Sequence, residues 1–350
     1  MDRRSGRHVG SVDELTSTWI SEEETLSEAR YYPELASTSQ HATIFHSSEW
    51  LKVASSIVPQ RVQILRVAQG QETIGVLPHV HLRRGPLRMI LSPPPGLGMQ
   101  YLGPLFPHLD SMKQDKRERR LDSIAGAVMQ HMHSTRSRFC QMRWTPGLAD
   151  ARAFQWHGFE TFPRYSYVLP LSDEKLMWGR LKQEARLHIK RHSEAISTAV
   201  GTDEDWSIFE NRARARYTDQ GLTAPLPATY IEALRAELGE RLVLMVARRA
   251  DEWLGAVALV RFRARLILWQ GAFKGTPGLP VNDILVWNAI RFGCETGCRE
   301  FELMGANTKR IAEFKAKFNP GLEVYLELRK GPTFVSNAIK LVARLRSGNP

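Results

Sequence analysis

Residues 62–80, VQILRVAQGQETIGVLPHV, and residues 242–260, LVLMVARRADEWLGAVALV, repeat one pattern at an offset of 180 residues. Each reads as an apolar strand, a polar turn, a glycine-containing bend and a second apolar strand, which is typical of a β-hairpin. The alignment has no gap, and its identities are Glu72 with Glu252, Gly75 with Gly255 and Val80 with Val260. The chain therefore contains an internal repeat.

The repeat extends beyond the hairpins. An amphipathic helix precedes each one, SSEWLKVASSIV in the first copy and ATYIEALRAEL in the second. A strand, a helix and a short strand follow each hairpin, ending in RFCQMRW and REFELMG. This order predicts an α/β (α+β) fold of two tandem GNAT-like domains, each with a mixed, mainly antiparallel sheet flanked by helices.

The repeat also suggests domain boundaries. We predict an N-terminal extension at 1–40, a first domain at 41–164, a second at 165–330 and a basic helix at 331–350. The stretch DEKLMWGRLKQEARLHIKRHSEAIS reads as one long basic helix at the start of the second domain, capped by Ser172 and Asp173. The C-terminal helix is apolar on one face and basic on the other, which favours docking on the protein and allows contact with an anionic membrane.

The amino-acid composition limits the classes of partner and the cellular location that the protein can have. The 48 Lys and Arg exceed the 37 Asp and Glu, giving a net charge of +11 that suits a polyanion such as a nucleotide, tRNA or anionic lipid, or serves solubility alone. Three cysteines are too few for a disulfide framework, and no stretch reaches about 18 apolar residues. We expect a cytoplasmic protein.

Several segments together resemble the Fem family of aminoacyl and peptidyl transferases within the GNAT-like superfamily. They are IFHSSEWLKVA, YLGPLF, ARLHIKR, LILWQGAF, PVNDILVWNAI, CREFELMGAN and EFKAKFNPG, and they span roughly residues 43 to 328. The resemblance implies transfer of an amino acid from aminoacyl-tRNA to the amine of a peptide, a peptidoglycan precursor or a small natural-product acceptor. It implies no metal and no bound cofactor, and we expect no DNA partner.

The resemblance also implies a catalytic pair, because an aromatic residue followed by lysine lies beside the reacting ester in the family. That pair falls on Phe314 and Lys315, with Lys317 and Phe318 as the fallback. A fixed ammonium would stabilise the oxyanion that forms when an amine attacks an ester. The general base stays unassigned, since the substrate can supply it.

Other candidates would bind substrate. On the basic helix, Arg186 and Lys190 lie four residues apart, beside Arg191, an arrangement that suits phosphates or a solvated charged face. The family places acceptor-binding residues where Arg216 and Tyr217 stand, and Tyr101 would line the acceptor channel. The remaining candidates stand at the ends of strands or helices, where a cleft would open; they are Trp269, Asn282 and Asn307.

Two alternatives stay open. An acyl-CoA-dependent N-acyltransferase would place the pyrophosphate in the glycine-containing loop before PVNDI, and a noncatalytic module would use the basic charge to bind RNA or membrane. The pairs His79-Val-His81 and His131-Met-His133 lack a carboxylate at metal-ligand spacing, so we interpret them as structural. Hydrolase, metalloprotease and nucleotide-triphosphatase motifs are missing.

Overall fold

The computed structural model describes residues 8–10, 19–59, 61–219, 226–227, 229–274, 276, 278–332 and 335, without the side chains of 8–10 and 216–219. The chain forms two compact units. Unit 1 consists of Met1–Pro95, Met99–Arg164 and Val324–Pro350, and unit 2 of Gly96–Gly98 and Tyr165–Glu323. No helix among these residues has the length and apolar character needed to cross a bilayer.

Unit 1 is a sheet with helices packed on it. Its strands are β1 His8–Gly10, β2 Trp19–Thr25, β3 Gln63–Gln69, β4 Glu72–Arg84, β5 Leu87–Ser92 and β6 Phe139–Arg143, with the second part of β13 Gly321–Lys330. Its helices are α1 Tyr32–Thr38, α2 Ser48–Ile57, α3 Gln114–Ser134 and α4 Arg152–Trp156. Strands β1 to β5 pair antiparallel, and β5 pairs parallel with β6.

Unit 2 repeats this plan. Its strands are the second part of β7 Glu160–Pro170, then β8 Ser197–Val200, β9 Leu242–Arg249, β10 Glu252–Phe262, β11 Arg265–Phe273 and β12 Glu300–Glu302. Its helices are α5 Glu174–Arg180, α6 Gln183–His192, α7 Asp203–Asp219, α8 Tyr230–Leu238, α9 Val281–Glu295 and α10 Lys309–Lys315. Strands β9, β10 and β11 pair antiparallel, and β11 pairs parallel with β12.

The internal repeat is confirmed in structure and includes a shared irregularity. Ile74 is the extra residue of a β-bulge between β3 and β4, and Leu254 is the extra residue between β9 and β10. These two positions are 180 residues apart. The glycine that follows each bulge has no room for a side chain, since a Cβ would meet Ile124 at Gly75 and Phe273 at Gly255.

Two expectations about the segments need correction. The basic stretch is not one helix, because Leu181 and Lys182 adopt extended backbone between α5 and α6. Burial of Leu181 and a hydrogen bond from the Lys182 amide to the Lys317 carbonyl (2.8 Å) hold this break. In addition, part of the predicted extension at 1–40 belongs to unit 1, where β2 pairs with β3. The predicted helix at 331–350 lies almost wholly outside the described residues.

The expectation that the histidine pairs lack a carboxylate partner is wrong for His79, His81 and His131. Folding brings His79 and His81 from β4 together with His131 from α3 and Glu23 from β2. His133 is exposed and is not part of this group. The sequence gives no sign of the grouping because Glu23, the two histidines of β4 and His131 lie in three segments at least fifty residues apart along the chain.

Candidate functional site

A cavity of about 600 Å³ opens in unit 2 beside the first turn of α9. Its wall is partly apolar, formed by side chains such as Leu254, Phe273 and Val281. The polar and charged side chains on its lining are those of His188, Thr276, Asn282, Asp283 and Lys317. An apolar pocket with a few converging polar groups is the usual form of a small-molecule site.

Local sequence places the first turn of α9 at this cavity. Gly278 takes a positive φ of 79°, and Pro280 follows as the N-cap of the helix. Pro280 accepts the first intrahelical bond, from the Ile284 amide at 3.1 Å. The amides of Val281 to Asp283 lie in the turn where helical geometry provides no acceptor, so this end of the helix attracts negative charge.

Asp283 is the centre of the polar groups. Its side chain is buried, and its Oδ2 lies 3.1 Å from Nδ1 of His188 and 3.6 Å from Nζ of Lys317. Its Oδ1 is also buried and has no hydrogen-bond partner among the described residues. An unpaired buried carboxylate oxygen is costly, so a donor from a bound molecule would be stabilised there.

His188 and Lys317 reach the cavity from different segments. The His188 ring lies on α6 and is 39% exposed, with Nδ1 turned to Asp283, so that Nε2 is available to a substrate. Lys317 lies 3.4 Å from Glu184 Oε1, and its Nζ is 5.7 Å from the centre of the Phe314 ring. A histidine held by a carboxylate at one nitrogen is the arrangement that proton transfer requires at the other.

The structure separates the predicted catalytic pair. Phe314 lines the cavity and packs against Phe318, whereas Lys315 is not on the lining defined by the described residues. Lys315 donates to the carbonyls of Met304 (2.7 Å) and Gly305 (3.1 Å), and burial lowers its pKa to about 8. The catalytic role of Lys315 stays a prediction, and the fallback Lys317 is the lysine that faces the cavity.

One of the three basic candidates on α6, Arg191, borders a neighbouring cavity of about 350 Å³. Arg191 lines it together with His188, which therefore belongs to both cavities. Arg186 donates to the Gly179 carbonyl at 3.3 Å, and Lys190 lies over the Trp178 ring at 6.0 Å. Lys190 and Arg191 are exposed and Arg186 is half-buried, so this face can contact phosphates next to the site.

The remaining candidates occupy different environments. Asn282 lines the cavity. Asn307 uses its amide oxygen and nitrogen on the backbone of Tyr165, at 3.0 and 2.9 Å, which joins two segments of unit 2. Trp269 is the extra residue of a bulge in β11, is buried, and donates to the Gly98 carbonyl at 3.1 Å.

Tyr101 and the Arg216–Tyr217 pair gain no support from the geometry. Tyr101 is completely buried in unit 1 and packs against Phe45 and Tyr325, a position in which it contributes to the core. The side chains of Arg216 and Tyr217 lie outside the described residues. Their predicted roles in acceptor binding stay predictions.

Sequence reasoning missed His188 and Asp283. His188 stands among basic residues, and Asp283 reads as an ordinary acidic residue in the first turn of a helix. Their pairing depends on the packing of α6 against α9, which joins residues 95 positions apart. The one signal in the sequence is an acidic residue in the first turn of a predicted helix that is otherwise mostly apolar.

Comparisons with known proteins agree with this architecture. Residues 179–316 match the family model of the Acetyltransferase (GNAT) domain, and no curated protein sequence matches the chain. The fold is similar to the crystal structure of FemX, with a TM-score of 0.64, 9% identity, and coverage of 87% of this chain and 96% of that one.

Two further solved structures share the fold. A tandem GNAT protein from the clavulanic acid biosynthesis pathway gives a TM-score of 0.54 at 11% identity, covering 90% of this chain and 99% of that one. The C-terminal domain of a putative lysylphosphatidylglycerol synthetase from Agrobacterium fabrum gives 0.55 at 13% identity, covering 85% and 91%. The predicted tandem GNAT-like fold and its Fem-type resemblance are confirmed at the level of the fold.

Proposed function

We propose that this GNAT-fold acyltransferase forms an amide bond by transferring an aminoacyl group from aminoacyl-tRNA to an acceptor amine. The observation that carries the proposal is the meeting of His188, Asp283 and Lys317 in one cavity at the first turn of α9. The cavity has the size of a small-molecule site, and it shares His188 with the smaller cavity that Arg191 of α6 lines.

The chemistry follows from these positions. The acceptor nitrogen attacks the ester carbonyl, a carbon–nitrogen bond forms, and the ester carbon–oxygen bond to the tRNA ribose breaks. His188 takes the amine proton on Nε2 while Asp283 holds Nδ1, and it then returns a proton to the departing ribose oxygen. The Lys317 ammonium and the amides of the α9 first turn stabilise the negative charge on the tetrahedral intermediate.

Asp283 supplies a further interaction. Its free Oδ1 would accept a hydrogen bond from an ammonium group, whether the α-ammonium of the aminoacyl donor or that of the acceptor before deprotonation. Asp283 could therefore bind an ammonium group of either substrate, and an aminoacyl donor offers one that a simple acyl donor lacks.

Acyl-CoA is the second candidate donor. The loop that includes Gly278 leads into the first turn of the 15-residue helix α9, and such a turn binds pyrophosphate well. The FemX and lysylphosphatidylglycerol synthetase likenesses favour the aminoacyl donor, and the tandem GNAT likeness favours acyl-CoA. Both donors would use the same cavity and the same proton transfer.

The test is a transfer assay with labelled donors. The purified protein is incubated with a mixture of radiolabelled aminoacyl-tRNAs and, separately, with labelled acyl-CoA, each with a panel of amine acceptors. His188→Asn, Lys317→Met and Lys315→Met are compared with wild type. His192→Asn, one turn further along α6 and outside the cavity lining, is the matched control.

The outcomes separate the candidates. Label transferred from one aminoacyl-tRNA, lost in His188→Asn and Lys317→Met and kept in His192→Asn, is the expected result. Consumption of acyl-CoA alone would replace the donor with the second candidate. If neither donor is consumed while tRNA or anionic vesicles still bind, the chain is a noncatalytic binding module and the proposal fails. If Lys315→Met abolishes transfer and Lys317→Met does not, Lys315 is the lysine that stabilises the oxyanion.

A further inference from the structure

Four side chains with metal-ligating atoms converge in unit 1, separate from the cavity of unit 2. They are Glu23 on β2, His79 and His81 on β4, and His131 on α3. One ligand atom from each lies within 4.8 Å of all the others. Three imidazoles and a carboxylate are a donor set that first-row transition metals bind.

The spacing of these atoms fits one small cation. Oε1 of Glu23 lies 3.0 Å from Nε2 of His79, 2.5 Å from Nε2 of His81 and 3.4 Å from Nε2 of His131, and the last is 3.2 Å from Nε2 of His79. Zinc–ligand bonds of about 2.0–2.1 Å in a tetrahedron put neighbouring ligand atoms about 3.3 Å apart. Small side-chain movements would bring all four into that geometry.

The hydrogen bond at the far side of His79 selects the metal-binding tautomer. Its Nδ1 is 3.0 Å from the Leu77 carbonyl oxygen, which can only accept, so Nδ1 carries the proton. In a neutral ring, Nε2 then presents a lone pair to the Glu23 carboxylate and to His131. Metal-ligating histidines commonly have a carbonyl or carboxylate at the other ring nitrogen.

Without a cation this arrangement is unfavourable. His79 is completely buried, and with Nδ1 bonded to the Leu77 carbonyl its Nε2 lone pair faces the Glu23 carboxylate oxygen at 3.0 Å. A divalent cation at the centre removes this repulsion, because every facing lone pair then becomes a ligand.

We propose that this cluster is a structural zinc site, with Glu23, His79, His81 and His131 as its four ligands. Four protein ligands complete a tetrahedron and leave no position for substrate, which is the form of a structural site. The ion would join β2, β4 and α3. Glu23 and His79 are 56 residues apart along the chain, and His79 and His131 are 52 residues apart. Closing these separations stabilises the folded unit against the open chain.

The experiment measures zinc binding by the full chain without a histidine tag. The protein is dialysed against zinc and then against metal-free buffer, its zinc content is measured, and Co²⁺ substitution is followed by visible absorption. His81→Asn is the main variant, because the His81 side chain is 35% exposed and its loss should not prevent folding. Glu23→Gln is the second variant, and His133→Asn, exposed on the same helix as His131, is the control.

The expected result is one zinc per wild-type chain and a tetrahedral cobalt spectrum. Loss of a direct ligand should weaken zinc binding at least about 100-fold in His81→Asn and Glu23→Gln, with unchanged circular dichroism, whereas His133→Asn binds as wild type does. A chelator should lower the melting temperature of wild type and of the control only. A folded wild type that retains no zinc, or a control that loses as much zinc as His81→Asn, would overturn the proposal and leave a hydrogen-bonded histidine cluster.

Discussion

Replacing Asp283 with asparagine tests the role of the buried acid in the proposed reaction. The substitution keeps the shape of the side chain and removes its charge. In the native site Asp283 accepts from His188 Nδ1 at 3.1 Å, which leaves Nε2 free to take a proton. An asparagine amide can donate to Nδ1 instead, and the ring proton would then move to Nε2 and block it as a base.

The size of the effect follows from this geometry. A positioned general base contributes about 10²–10⁴ in rate, so kcat should fall by that factor, or about 3–5 kcal/mol in the activation barrier. The folded state should change less. Asp283 is buried with one unpaired oxygen, whereas its partners His188 and Lys317 are 39% and 22% exposed and can be rehydrated. We expect the free energy of unfolding to change by less than about 2 kcal/mol.

The assay is steady-state transfer with the donor identified above, together with urea unfolding of each protein. Asp251→Asn makes the same chemical change at an exposed turn between β9 and β10 and serves as the control. A kcat within threefold of wild type in Asp283→Asn would refute the proton-transfer role. An increase in KM at unchanged kcat would assign Asp283 to binding alone.

Three further predictions concern stability, each measured by urea unfolding. Gly103→Ala should cost about 2–4 kcal/mol and Gly70→Ala about 1–2, because both have positive φ but only at Gly103 would a Cβ press on backbone atoms. Burial lowers the pKa of Lys315 to about 8, so between about pH 8 and pH 10 the unfolded chain binds more protons than the folded one. As the pH rises through this range, the free energy of unfolding of wild type should therefore increase by up to about 3 kcal/mol relative to that of Lys315→Met. Asp173→Ala should cost about 1 kcal/mol, because the Asp173 side chain caps two amides of α5.

The repeated hairpins were predictable because local pattern determines them. Strand alternation, a polar turn and a glycine recur at a fixed offset, and pairing between neighbours in sequence needs no information from distant residues. The equivalent bulges at Ile74 and Leu254 stand beside the aligned glycines Gly75 and Gly255, but the bulges themselves are visible only in the strand pairing. The fold class could therefore be predicted in full from one sequence.

The sites could not be predicted in the same way, because tertiary packing assembles them. The break at Leu181 and Lys182 overrides a good helical pattern, since the Lys182 amide bonds to a carbonyl 135 residues further along the chain. The same packing brings α6 against α9 and so joins His188 to Asp283. A family motif pointed to Lys315, but the neighbouring Lys317 reaches the cavity.

If both proposals hold, the two copies of the repeat serve different tasks, and their polar residues differ accordingly. In unit 1 the helix that covers the hairpin carries Ile124 over Gly75 and His131 over His79, so apolar packing and one of the proposed zinc ligands come from α3. In unit 2 the first turn of the corresponding helix carries a buried acid, Asp283, with one unpaired oxygen beside a cavity. A closed set of four ligands stabilises a fold and does no chemistry, whereas an open cavity with a buried acid costs stability and permits chemistry. Removal of zinc should therefore lower the melting temperature of the protein and leave kcat unchanged below the unfolding transition. Asp283→Asn should instead lower kcat and change the melting temperature little.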